Sequence, residues 1–282
     1  MNPHALTEKM KSDLQSGILK PVLELVQRDR DLLLEFRGDG ADIYYKGHCL
    51  NIRPSHSGYQ ISAHAKFLAE PIPVDALAGR LPGIKQAMAE HRCGGAEIEF
   101  DQALIRANNL EPTFNTDYFF VDRQVGLSRE ERPDALGIYW PRKGRQNDKE
   151  VSLALIEVKW GLNGGVEKIA EQVERYYKHL KDDIVAIATE AETLLRQKLD
   201  LKLITGAQPD ALRKLRALPV SRDITKARIV LALIDYNPNS TKFDMQKLNQ
   251  LPFADQVVVF HLGLCMWDEN AEDPPFAQGA SA

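Results

Sequence analysis

The polar and apolar positions divide the chain into two stretches of different rhythm. Residues 17–28, Gly-Ile-Leu-Lys-Pro-Val-Leu-Glu-Leu-Val-Gln-Arg, read as a short helix. Four short β-type runs follow at 32–37, 41–46, 49–53 and 58–64, parted by turn signals at Gly38-Asp39-Gly40, Lys46-Gly47 and 54–57. They predict an antiparallel meander over 31–68. Pro71 and Pro73 break it, and residues 74–92 then show helical spacing, interrupted at Pro82-Gly83 and closed by Gly94-Gly95.

From residue 96 the rhythm changes. Residues 96–109 carry Ile98, Phe100, Leu104, Ile105 and Ala107 at helical positions. Strand-like runs occupy 118–125, 135–141 and 151–160. A helix over 166–180 follows the Gly164-Gly165 break, a second helix covers about 183–200, and buried-strand runs lie at 227–236 and 256–267. Three consecutive strands fit a meander, and a strand–helix–strand crossover returns a parallel neighbour. The expected fold class is therefore α/β (α+β) with a mixed sheet flanked by helices. The expected organisation is an accessory N-terminal helix and β-meander over 1–93, a core domain over 94–267 and a flexible tail over 268–282, rich in proline, small and acidic residues.

Composition narrows the class only a little. Hydrophobic residues make up 44% and charged residues 27%, the balance of a soluble globular protein. With 36 Lys and Arg against 40 Asp and Glu, a formal charge of −4 excludes a uniformly basic nucleic-acid coat and a polyanionic tail protein. It leaves a local basic groove open, because net charge does not say where charges sit. Cys49, Cys93 and Cys265 form no Cys-x-x-Cys pair, which argues against a disulfide framework or thiolate zinc site and for a reducing, cytoplasmic setting. No apolar run marks residues 1–13 as a secretory signal, and no stretch reaches the roughly 20 apolar residues of a membrane span. No membrane partner is expected.

The chemistry concentrates in Ile156-Glu157-Val158-Lys159-Trp160. Strand alternation puts Glu157 and Lys159 on one side and Ile156, Val158 and Trp160 on the other, where an apolar strand runs into a glycine-rich turn. A cross-face ion pair is the bland reading of Glu-x-Lys. Upstream, Asp134 opens the neighbouring strand, and a hairpin through the polar loop 142–150 brings it beside Glu157. Two carboxylates and a lysine at one strand end suit a hard cation such as Mg²⁺, which keeps waters and leaves room for phosphate oxygens. In the following helix, Gln172 and Tyr176 are spaced i, i+4 and share a face. They either project towards this site or pack as an ordinary core aromatic and its neighbour.

Asp134, Glu157-Val158-Lys159 and Gln172-x-x-x-Tyr176, in this order, resemble the PD-(D/E)xK nuclease superfamily, in its Gln-x-x-x-Tyr-bearing branch of exonuclease-type and DNA-repair proteins. The resemblance covers about 96–240. It implies a restriction-endonuclease-like core of helix, three-strand meander, helix and strand. It also implies Mg²⁺ or Mn²⁺ held by Asp134 and Glu157, an attacking water assisted by Lys159, and Gln172 and Tyr176 as site residues. The family often adds an acid from the first core helix. Glu97, which shares the side of Phe100 and Leu104, is preferred to Glu99, with a solvated first-turn acid as the competing reading. Asp122 on the first strand is a further acid, with a plain solvent-facing position as the competing reading.

The expected function is a metal-dependent nuclease that hydrolyses phosphodiester bonds in DNA. The alternative is an inactive nuclease-like fold that binds nucleic acid or a protein partner; a homo-oligomer stays open. Basic groups at Arg142, Lys143, Arg145 and Lys149, on the helix at Lys168, Arg175 and Lys178, and at Arg213, Lys214, Arg216, Arg222, Lys226 and Arg228 offer phosphate contacts. Tyr44-Tyr45 offers stacking on bases.

Overall fold

A computed structural model describes residues 4–56, 58–91, 96–124, 126–127, 131–162 and 165–265, with the side chains of 96 and 97 left aside. Among the described residues the chain is a mixed α/β protein with seven α-helices and two five-stranded sheets. The expected boundary near residue 93 and the tail over 268–282 lie outside the described residues.

The first sheet is the expected meander. Strands β1 (Leu33–Arg37), β2 (Gly40–Tyr45), β3 (His48–Ser55), β4 (Gly58–Ala63) and β5 (Ile72–Pro73) pair antiparallel in sequence order. Helices α1 (Glu8–Gln15) and α2 (Lys20–Arg28) precede it, and α3 (Leu77–Glu90) follows. Helix α1 has no counterpart in the sequence reading. It rests on the Thr7 cap, whose hydroxyl accepts from Met10 N, and on just two buried apolar positions, Met10 and Leu14, one turn apart. Helix α3 runs through Pro82 without the expected interruption, carried across by the buried stripe Leu77, Leu81, Ile84 and Met88.

The second sheet has the order β10-β9-β8-β7-β6. Strands β6 (Tyr118–Arg123), β7 (Ala135–Tyr139) and β8 (Ser152–Trp160) form the antiparallel meander. Strands β9 (Arg228–Ile234) and β10 (Val257–Leu262) add in parallel, which makes the sheet mixed as expected. Helix α4 (Ala96–Leu110) packs on one face, where Phe100, Leu104 and Ile105 meet Phe120, Ile156 and Val158. Helix α5 (Ile169–Asp200) covers the other face as two helical halves over 32 residues. The break read between 180 and 183 survives as a kink at Asp183, with φ −120° and ψ 18°. Two short helices, α6 (Pro209–Ala217) and α7 (Met245–Asn249), complete the set. Among the described residues no helix is long and apolar enough to cross a membrane.

The N-terminal region shares a hydrophobic core with α5 and the second sheet. Polar contacts reinforce this union. Leu6 N donates to Gln197 Oε1 at 2.8 Å, and Gln197 Nε2 returns a bond to Leu6 O at 2.9 Å. The Lys198 ammonium donates to both Glu35 oxygens at 2.8 and 2.9 Å, with the two residues only 2% and 1% exposed.

Candidate active site

Sequence alternation and sheet register assemble the site. Strand β8 is apolar on both faces until Glu157, because α4 and α5 cover the two sides. Leu155 and Glu157 face α5, whereas Ile156 and Val158 face α4. The β7–β8 register pairs Ala135 with Ile156, so the next position places Asp134 against Glu157. Asp134 is fixed twice. Its carbonyl accepts from Gln124 N at 2.7 Å, and its Oδ2 accepts from Val158 N at 2.8 Å.

Glu157 is the hub. Its Oε1 accepts from Lys159 Nζ at 2.5 Å and from Gln172 Nε2 at 2.8 Å, and its Oε2 accepts from Tyr176 Oη at 2.8 Å. Gln172 Nε2 also lies 2.6 Å from Tyr176 Oη. The helical i, i+4 spacing thus aims both side chains of α5 at one carboxylate. Tyr176 and Glu157 are buried, while Lys159 and Gln172 are half-buried. The structure therefore brings together Asp134, Glu157, Lys159, Gln172 and Tyr176, five side chains from three elements.

The electrostatics are those of crowded acids. Burial, and then the neighbouring Glu157 charge, push the Asp134 carboxyl up to about 8, against the opposing Val158 N–H bond. Burial and the same Glu157 charge push the Tyr176 hydroxyl above its ordinary value, which keeps it a donor. Hard carboxylate oxygens fit a divalent cation, and one or two carboxylates suffice when waters and phosphate complete the shell. Among the described residues no group of three or more His, Cys, Asp or Glu is arranged to hold a metal ion. The Glu97 side chain lies outside the described residues, and Glu99 is exposed.

Among the described residues, Asp101 of α4 also adds its charge to the push on Asp134. It is 5% exposed and forms a buried ion pair with Arg123 on β6. The sequence held a signal for it, since Asp101 lies one helical turn beyond Glu97. Asp122, the further acid of the first strand, does not face solvent: it is 2% exposed and pairs with Arg37 at 3.0 Å and with His4 Nδ1 at 2.6 Å. A β-bulge between Phe120 and Asp122 shifts the strand register there, which residue alternation does not foresee. At the site's edge, Arg175 Nε pairs with Glu131 Oε1 at 2.5 Å.

The basic residues are largely held by protein partners. Arg145 is buried, donates to Trp140 O and Asn115 Oδ1, and stacks 4.5 Å from the Trp140 ring. Arg216 pairs with Asp200, Arg222 with Glu192, Lys226 with Glu150 and Arg213 with Asp210. Tyr44 is no stacking platform for bases. It is 6% exposed, beneath the Arg123 guanidinium 4.4 Å from its ring. Compared with known proteins, the chain matches no family model, no curated protein and no solved structure.

Proposed function

We propose that the chain is a divalent-metal-dependent nuclease of the PD-(D/E)xK kind that hydrolyses phosphodiester bonds in DNA. The observation that carries this reading is the convergence on Glu157 of Lys159, Gln172 and Tyr176, with Asp134 set beside it by the β7–β8 register. The order of elements, helix α4, three antiparallel strands, helix α5 and a parallel strand, supports a restriction-endonuclease-like core.

In this reading Asp134 and Glu157 hold Mg²⁺ or Mn²⁺, which when bound acidifies a coordinated water and offsets charge developing on the phosphate. Lys159 reaches the site through a side chain 14% exposed, so its ammonium can orient a water or meet a phosphate oxygen there. Gln172 and Tyr176 fix the Glu157 carboxylate in one orientation. With its carboxyl pushed up to about 8, Asp134 would release a proton on taking up the cation, so the two events are linked.

The test is incubation of the purified chain with plasmid and linear DNA in Mg²⁺ or Mn²⁺. Cleavage that disappears in Asp134→Ala and in Lys159→Ala is the expected outcome. Intact DNA across several substrates and both metals, from folded protein, overturns the reading and leaves a nuclease-like binding module.

A further inference from the structure

We propose that β10 is the joint through which two copies of this chain pair edge to edge, antiparallel, into one continuous sheet. The inference is independent of the catalysis proposed above.

A strand at a sheet edge leaves a row of backbone N–H and C=O groups without ladder partners, and proteins blunt such edges with charge, proline, shortness or a covering element. Among the described residues, three of the four sheet edges are treated in this way. Strand β5 has two residues and ends on Pro73. Strands β1 and β6 adjoin, and Arg37 of β1 donates to the Arg123 carbonyl of β6 at 3.3 Å. Strand β10 has none of these devices. It is six residues long, pairs only with β9 among the described residues, and belongs to a run from Gln256 to Trp267 that holds no Asp, Glu, Lys, Arg or Pro.

The open strand is held from both faces. Val258 and Phe260 pack towards α4, with Phe260 edge-on to Tyr118 at 5.7 Å, and Val257 and Val259 pack into the larger core beside α5. Its last two residues, His261 and Leu262, are exposed. Beyond Leu262 the chain bends towards the end of β9, where Leu264 N and Cys265 N donate to Asp235 Oδ1 at 2.6 and 2.9 Å. The described chain therefore leads away from the outer side of β10.

The occupant is a second copy because the edge complements itself. Directly opposed residues of an antiparallel pair share a face, so a two-fold axis through Phe260 sets Val258 against Leu262 of the second copy on the apolar side. No like charges meet in that register. An apolar groove walled by Tyr118, Phe260, Leu262 and Phe114, the last 61% exposed, lies beside the edge and gives each copy further apolar surface to cover.

Sedimentation of the full chain over a concentration series tests this, together with hydrogen exchange of the β10 amides at both ends of the series. The parent should form a dimer, and its outward β10 amides should exchange more slowly as concentration rises. The double variant His261→Lys with Leu262→Lys installs the missing edge charge at two exposed positions. It should keep the parent's urea midpoint and weaken dimerisation by about tenfold or more, because like charges brought together at an interface are strongly opposed. Val185→Lys, at a position of α5 that is 62% exposed, should leave the dimer as it is. A parent that stays monomeric throughout the series overturns the proposal, as does a dimer that the two lysines leave unchanged. Protection of the outward β10 amides that does not vary with concentration would show an edge covered within one chain, and it overturns the proposal too. Should the double variant fail to fold, the parent's mass and exchange data decide between these outcomes without it.

Discussion

Tyr176 Oη stands 2.8 Å from Glu157 Oε2, a bond that ties the first half of α5 to the end of β8. Both residues are buried, so the carboxylate oxygen has no water to replace a lost donor. Tyr176→Phe should cost about 1–3 kcal/mol, the penalty for leaving a buried acceptor unpaired. DNA cleavage should fall by about 10- to 100-fold, because Glu157 is freed to rotate. Urea melts and initial cleavage rates check the two effects. Parent-like values in both would show that the bond contributes nothing.

The Asp134 carboxyl gives a pH signature with a definite sign. Its ordinary value is 3.8, and burial with Glu157 raises it to about 8 in the folded chain. Between those values the folded state holds a proton that the unfolded state has released, so stability falls as pH rises through that window. Below it both states are protonated, and above it the full penalty, of the order of a few kcal/mol, is in place. Asp134→Asn removes this slope. With chelator present, variant and parent should agree near pH 4, and the variant should be the more stable at pH 9. A stability difference that stays flat with pH would show that Asp134 is not raised.

Lys198 and Glu35 form a buried pair between α5 and β1. Lys198→Met leaves Glu35 alone in the core and should cost about 3–5 kcal/mol, whereas the double change Glu35→Leu with Lys198→Met should recover most of it. The comparison is made by urea unfolding of the three proteins. A double variant as unstable as the single would place the cost in packing rather than charge.

Gly206 lies against the end of α4. A Cβ there would come within 2.2 Å of the Asn108 carbonyl oxygen, which is backbone and has little freedom to yield. Gly206→Ala should therefore lower stability by about 1–3 kcal/mol and displace α4. Thermal unfolding measures it, and an unchanged midpoint would mean that α4 shifts freely.

The N-terminal region supplies core and counter-charges to the rest. Residues 94–265 produced alone should lack a cooperative unfolding transition, since Lys198 loses Glu35, Gln197 loses Leu6 and Asp122 loses both Arg37 and His4. A sharp urea transition from the excised segment would show that it folds by itself.

The local parts of this architecture were legible in the residues. Alternation along β8 separated Glu157 and Lys159 from Val158, and the i, i+4 spacing paired Gln172 with Tyr176, because each pattern spans a single element. The hairpin reach from Asp134 to Glu157 followed from a short polar loop. What stayed hidden depends on distant contacts or on departures from regularity. Helix α1 carries two apolar residues whose burial is decided by the first sheet and α5. Asp122 turned inward because of one bulged position, and Arg145 proved to be a structural anchor of the Trp140 carbonyl. Asp101 was not among the acids weighed on the first core helix, for nothing in the local pattern announces its arginine partner on β6.

The Glu35–Lys198 bond joins residues 163 positions apart. The meander that carries Glu35 is built from neighbouring strands and can pair as soon as it leaves the ribosome. Its buried acid then waits for a counter-ion not yet synthesised, roughly ten to thirty seconds at ordinary elongation rates. During that interval β1 must keep Glu35 in water and leave its apolar face uncovered. The nascent chain therefore carries the acid of β1 without its counter-ion until Lys198 has been made.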